Sequence, residues 1–256
     1  MNGALAGRTI IVTRPSAQAG ALCRDIEGEG GRAFRFPLLE ILPPDDPGVF
    51  ASVAARLDEF DLAFFVSANA VEYGLDGLLA RRVWPPGLCV ATVGQGSARA
   101  LRARGLGDVI APDSGFDSEA VLALPAFAPE AVRGRAVLIL RGEGGRELLG
   151  ETLTARGAYI EYLACYRRRC PEVDPAPLLA LAGRGEVDAL LLTSGEGADN
   201  LARLVGAAGL TRLVALPVFV PHPRIAARCR SHGFTQIVSA EGGDDVLLRT
   251  LAAFFG

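Results

Sequence analysis

Lysine is missing from this chain altogether: all 26 basic residues are arginine. A Schiff-base cofactor and a phosphate-binding P-loop both require a lysine amine, so neither is available. Histidine is nearly missing too. With only His222 and His232 present, no metal centre built from several imidazoles is expected. The five cysteines (Cys23, Cys89, Cys165, Cys170 and Cys229) are odd in number and contain no CxxC pair. That argues against a disulfide framework or a zinc site and for a reducing, cytoplasmic setting. No apolar run approaches the roughly 20 residues of a membrane helix. The opening MNGALAGRTIIVTRP turns polar at Arg14 after one short strand, unlike a signal peptide. A net charge of −3 offers no electrostatic case for nucleic acid. Neither a nucleic-acid nor a membrane partner is expected. Any anionic ligand has to be gripped locally, by a few arginines or by backbone N–H groups.

What the chain does contain is a repeat. GRTIIVTR (7–14) matches GRAVLILR (134–141), and FFVSANAVEYGL (64–75) matches LLTSGEGADNLA (191–202). VGQGS (93–97) falls opposite VPHPR (220–224), and PDSGFDSEAVLAL (112–124) opposite SAEGGDDVLLRTL (239–251). Every pair is separated by 127 positions, so the chain reads as a duplication. Within each repeat, apolar runs such as TIIV (9–12), LAFFV (62–66), LCVATV (88–93), AVLIL (136–140), DALLLT (188–193) and PVFV (217–220) predict buried parallel strands. Amphipathic stretches such as 16–29 and 97–105 predict helices between them, with Asp117 or Ser118, and Asp244 or Asp245, as N-caps of the last helix of each repeat. Strand–helix alternation predicts an α/β fold with helices on both faces of a parallel sheet.

Two segments break the alternation. RAFRFPLLEILPP (32–44) and AYIEYLACYRRRCP (158–171) read as long extended strands ending at proline, at corresponding places in the repeats. As crossovers, 37–44 and 161–172 would join a discontinuous domain of 1–36 plus 173–256 to a second domain of 45–160. The residues alone leave open the alternative that each repeat is its own domain. On 161–172, Tyr162 and Tyr166 would share one face of a regular strand, and the Arg167–Arg168–Arg169 run reads as a solvated strand end.

In open α/β sheets ligands bind beyond the carboxyl ends of the strands. Those ends carry Thr13 and Arg14; Ser67 and Asn69; Gly94, Gln95, Gly96 and Ser97; Arg141 and Gly142; Thr193, Ser194 and Gly195; and His222 and Arg224. Small hydroxyl residues and glycines before helices expose N–H groups suited to carboxylates or phosphates. The plainer reading is that Ser67, Ser97 and Ser194 are N-caps. Arg14 and Arg141 are equivalent under the duplication, and each either grips a ligand carboxylate in two-pronged fashion or forms an internal ion pair. Pro221 stands opposite Gly94 and removes a backbone donor, so that edge would rely on His222 or Arg224. No nucleophile–base–orienter pattern is visible. Read this way, the chain is a two-lobed binder of a small anion. A non-catalytic binding protein and an enzyme acting on a sugar nucleotide both remain open.

VTRP (12–15), FVSANAVE (65–72), VGQGSARAL (93–101), LILRGEGGRELL (138–149), AYIEYLACYRR (158–168) and LLLTSGEGADNL (190–201), in this order, resemble the uroporphyrinogen-III synthase family over essentially the whole chain. The resemblance implies two similar flavodoxin-like three-layer domains joined by a two-stranded linker, with a cleft between them. It implies the substrate hydroxymethylbilane, a linear tetrapyrrole polycarboxylate. Loss of the terminal hydroxyl as water leaves a reactive azafulvene, and ring D is inverted through a spiro intermediate as the macrocycle closes; unaided closure leaves it unflipped. It implies no metal or organic cofactor. A monomer is expected, with transient contact to hydroxymethylbilane synthase as its protein partnership. The tyrosine thought to assist departure of the hydroxyl falls on Tyr166, and Ser67, Ser97, Thr193 and Ser194 fall on the family's cleft positions.

Overall fold

The computed structural model describes residues 3–115, 117–145 and 147–256; Phe116 and Arg146, inside two of the matched segments, lie outside the described residues. In chain order the strands are β1 Thr9–Val12, β2 Arg32–Arg35, β3 Glu40–Leu42, β4 Leu62–Phe65, β5 Cys89–Thr92 and β6 Val109–Ile110. They continue with β7 Ala136–Gly142, β8 Tyr159–Arg169, β9 Ala189–Leu191, β10 Val218–Val220 and β11 Ile237–Ser239. Among the described residues no helix is long and apolar enough to cross a membrane.

The chain divides into two compact units, one of Met1–Glu40 with Arg169–Gly256 and one of Ile41–Arg168. In the first, five parallel strands run in the order β2-β1-β9-β10-β11. Counted within the unit this is 2-1-3-4-5, the flavodoxin-like order, which reverses between β1 and β9. Alternate residues serve opposite faces. Ile11, Leu190, Val218 and Val220 join Leu201 and Cys229 of the helices on one side. Ile10, Val12, Leu191 and Phe219 join Leu22, Ile26 and Leu251 on the other.

The second unit has the order β3-β8-β7-β4-β5-β6, parallel from β8 to β6. The offset of the duplication lays β8-β7-β4-β5-β6 onto β2-β1-β9-β10-β11, so a permuted chain builds the same spatial order. Each sheet therefore combines the opening strands of one repeat with the later strands of the other. Ala63, Phe65, Leu138 and Leu140 pack on one face, and Leu62, Phe64, Val137 and Ile139 on the other. Full burial of a side chain such as Phe64 contributes about 1.5–3 kcal/mol. The molecule is thus two similar flavodoxin-like α/β domains with parallel sheets covered on both sides.

The chain passes between the units at Glu40/Ile41 and again at Arg168/Arg169, on β3 and β8, which are neighbours in the six-stranded sheet. The segment 32–44 is not one strand as the sequence suggests. It breaks into β2 and β3: the Phe36 N–H still donates to Val12 O and the Leu38 N–H to Thr13 O, but Leu38 turns fully into the first unit's core. There the Leu38 carbonyl accepts from Asn200 Nδ2 at 2.8 Å. Arg167 and Arg169 are not simply solvated. Arg167 pairs with Asp45 at 2.9 Å and Arg169 with Glu40 at 2.6 Å, joining the two crossing segments. Asp117 caps its helix, accepting from Ala120 N at 3.0 Å. In the second repeat Gly243 takes the cap position instead and Asp244 is the first helical residue, its carboxylate drawn to Arg14 at 2.8 Å.

Candidate active site

The sheet order β8-β7-β4 brings Tyr166, Gly142 and Ser67 side by side at the carboxyl edge of the second unit. The register pairs Arg141 with Ala164 but Gly142 with Tyr166, so β8 carries one extra residue there. This bulge overturns the expectation that Tyr162 and Tyr166 share a face. Tyr166 joins Leu163 and Cys165 in the core and is 3% exposed, whereas Tyr162 is 42% exposed. Re-aiming a side chain is what a bulge does: the surplus residue turns the strand locally. Gly142 leaves room for the turned ring. A Cβ on Gly142 would stand 2.7 Å from Tyr166 Cε2 and 2.8 Å from Cζ. The ring therefore crosses β7 and sets its hydroxyl 3.2 Å from Ser67 Oγ.

Ser67 is the N-cap of the Ala68–Leu79 helix, and its Oγ accepts from Ala70 N at 3.1 Å. Capping and contact with Tyr166 coexist, because a hydroxyl has two lone pairs and one proton. The helix lies close on the sheet at Gly74, where a Cβ would come within 2.6 Å of Leu140 Cδ2. Next to Tyr166, the Cys165 thiol donates to Arg141 O at 3.3 Å, and burial pushes its pKa up to about 12. It is not a nucleophile at neutral pH. Brief alkylation of the folded protein with iodoacetamide should label exposed Cys89 and spare Cys165; mass spectrometry showing early modification of Cys165 would contradict this.

The other candidates of this unit sit at the same edge. Asn69 is the second residue of the Ser67-capped helix. Gly94 is the cap residue of the Gln95–Ala103 helix in extended backbone, so Ser97 is the third helical residue, buried rather than capping. Gln95 Nε2 donates to Pro112 O at 3.1 Å. Gly96 has open space where a Cβ would stand. Arg141 is held by its own loop, donating to Gly144 O and Gly145 O at 3.2 and 3.4 Å, with its guanidinium 4.7 Å from the Tyr162 ring centre.

In the first unit the matching edge holds the remaining candidates. The buried Thr13 hydroxyl donates to Leu191 O at 2.6 Å across the switch between β1 and β9. Arg14 pairs with Asp244. Burial, opposed by Arg14 and reinforced by Asp245 and Asp25, holds the Asp244 carboxyl above its ordinary range. Ser194 follows Thr193 and caps the helix beginning at Gly195, accepting from Gly197 N at 2.9 Å. His222 also caps: its Nδ1 accepts from Arg224 N at 3.0 Å, with Pro223 at the first helical position. Two residues escaped sequence reasoning. Asp244 was visible only as a capping aspartate. Tyr73, whose ring lies 6.1 Å from that of Tyr166, looks in the sequence like an ordinary apolar-face helix residue.

A family model described as Uroporphyrinogen-III synthase HemD matches residues 20–245. The Uroporphyrinogen-III synthase of Salmonella typhimurium is 35% identical over 95% of this chain and 99% of its own length. That of Escherichia coli K12 is 34% identical over the same shares. Among solved structures, a mutant uroporphyrinogen III synthase from the extremely thermophilic bacterium Thermus thermophilus superposes with a TM-score of 0.67 at 20% identity, covering 96% of this chain and 97% of that one. The Helicobacter pylori uroporphyrinogen-III synthetase gives 0.59 at 14% identity over 96% and 99%. At these identities the two structures speak for the fold alone.

Proposed function

This chain belongs to the uroporphyrinogen-III synthase family, and on that premise we propose that it cyclises hydroxymethylbilane to uroporphyrinogen III, with the Tyr166–Ser67 pair supplying the proton that lets the terminal hydroxyl depart. The carrying observation is the 3.2 Å contact between the two hydroxyls at the carboxyl edge of the sheet. Ser67 already accepts from the Ala70 N–H. It can therefore give its own proton to the leaving hydroxyl while taking one from Tyr166, so that water departs and the phenol carries the charge. The N–H groups at that helix start favour negative charge nearby.

The remaining task is conformational. The azafulvene left behind closes without help to the unflipped ring, so the protein has chiefly to hold a flexible polyacid in one shape. Helix starts at Ser67, Gly94 and Ser194 offer N–H groups for its carboxylates, and Arg141 and Arg224 add positive charge at strand ends. Incubation with hydroxymethylbilane, generated in place and followed by oxidation and chromatography, should yield the type III isomer. Type I alone, formed at the enzyme-free rate, would reject the activity.

A further inference from the structure

We infer that Tyr73 is a positioning residue for Tyr166, holding the phenol against Ser67; this rests on the role given to Tyr166 above. The bulge takes Tyr166 out of the regular alternation of β8, so the ladder alone does not fix where its ring points. Gly142 gives that ring space but no wall. The wall comes from Tyr73, whose ring is tilted 35° to that of Tyr166 at a centroid separation of 6.1 Å, inside the range of favourable aromatic pairs.

Tyr73 is itself anchored. Its hydroxyl donates to Ile41 O on β3 at 3.1 Å, and burial, together with the Glu72 carboxylate, raises its pKa so that it remains a donor. The helix bearing Tyr73 lies close on the sheet: a Cβ on Gly74 would stand 2.6 Å from Leu140 Cδ2 and 3.6 Å from Cys165 Sγ. The same helix begins at Ser67. One rigid element thus holds Tyr166 at two points, the hydroxyl by Ser67 and the ring by Tyr73. Where active-site groups must be placed within an ångström, such a buttress governs turnover rather than binding.

The test is a kinetic cycle on hydroxymethylbilane with Tyr73→Leu, Tyr73→Phe, Tyr166→Phe and the two double variants. Tyr73→Leu should lower kcat about tenfold with KM within about twofold, while Tyr73→Phe, which keeps the ring, should lose only about twofold. Neither change should slow the Tyr166→Phe enzyme further, because both act through the hydroxyl already removed. If Tyr73→Leu fails to fold by circular dichroism, Tyr73→Phe carries the cycle: its loss should vanish in the Tyr166→Phe background. Losses that add, or a Tyr73→Leu enzyme of normal kcat, would overturn the positioning role alone. A fully active Tyr166→Phe enzyme would overturn both this role and that of Tyr166.

Discussion

Tyr166→Phe should lower kcat by more than about tenfold, toward the roughly 100-fold or more that a positioned general acid typically contributes, while leaving the fold intact. The substitution deletes one atom. The ring keeps its place in the core and over Gly142, and only the 3.2 Å approach to Ser67 Oγ disappears. A hydrogen bond of this kind contributes on the order of 1 kcal/mol to stability, so urea unfolding should shift little. The separation of effects is the point of the experiment: a large kinetic change on a small thermodynamic one. An unchanged rate of type III formation would show the hydroxyl to be dispensable.

Gly142→Ala is the complementary change, because it removes no hydroxyl but displaces one. The new methyl group would stand 2.7 and 2.8 Å from two ring carbons of Tyr166, closer than carbon atoms approach. β7 lies between β8 and β4 in the middle of its sheet, so the backbone is poorly placed to give way and the ring has to move. A displacement of about 1 Å can cost on the order of 100-fold in turnover, and overpacking at a buried site costs roughly 1–3 kcal/mol of stability. Unlike Tyr166→Phe, this variant should therefore fall in both rate and urea midpoint. Combined with Tyr166→Phe, it should slow the enzyme little further. Wild-type kcat in Gly142→Ala would mean that the ring position is not what sets the rate.

Strands β1, β4, β5, β7, β9 and β10 were legible in the sequence as short apolar runs buried in mid-sheet, whereas β6 and β11, short and only partly buried, gave no such run; the 127-residue offset is still visible in how β7, β4 and β5 match β1, β9 and β10. Ser67 and Ser194 were legible because cap positions favour a short hydroxyl side chain; Ser97, read the same way, lies inside its helix, and the cap made by the His222 ring was not foreseen. The break at Pro37 was hidden because Leu38 looks like one more strand residue until its place in the first unit's core is known. The bulge at Cys165 was hidden more deeply. Nothing in YLACYRR marks which residue is surplus; only pairing with Gly142 reveals it. Tyr73 depends in turn on that bulge, since without it Tyr166 would face the other side of the sheet. Asp244 was misassigned because a helix-start aspartate serves equally as a cap or as the partner of Arg14, and the distant arginine decides.

The unit Ile41–Arg168 is an uninterrupted stretch placed inside the other. On a ribosome emitting about 5–20 residues per second, all the strands of this inner unit emerge while β1 and β2 still wait for β9, β10 and β11 to be translated. The amino-terminal forty residues can therefore pair only β1 with β2, and the other edge of β1 stays open until β9, in the last third of the polypeptide, has been made. Open strand edges are aggregation-prone, and here the one that waits longest belongs to β1, not to the stretch that carries Tyr166.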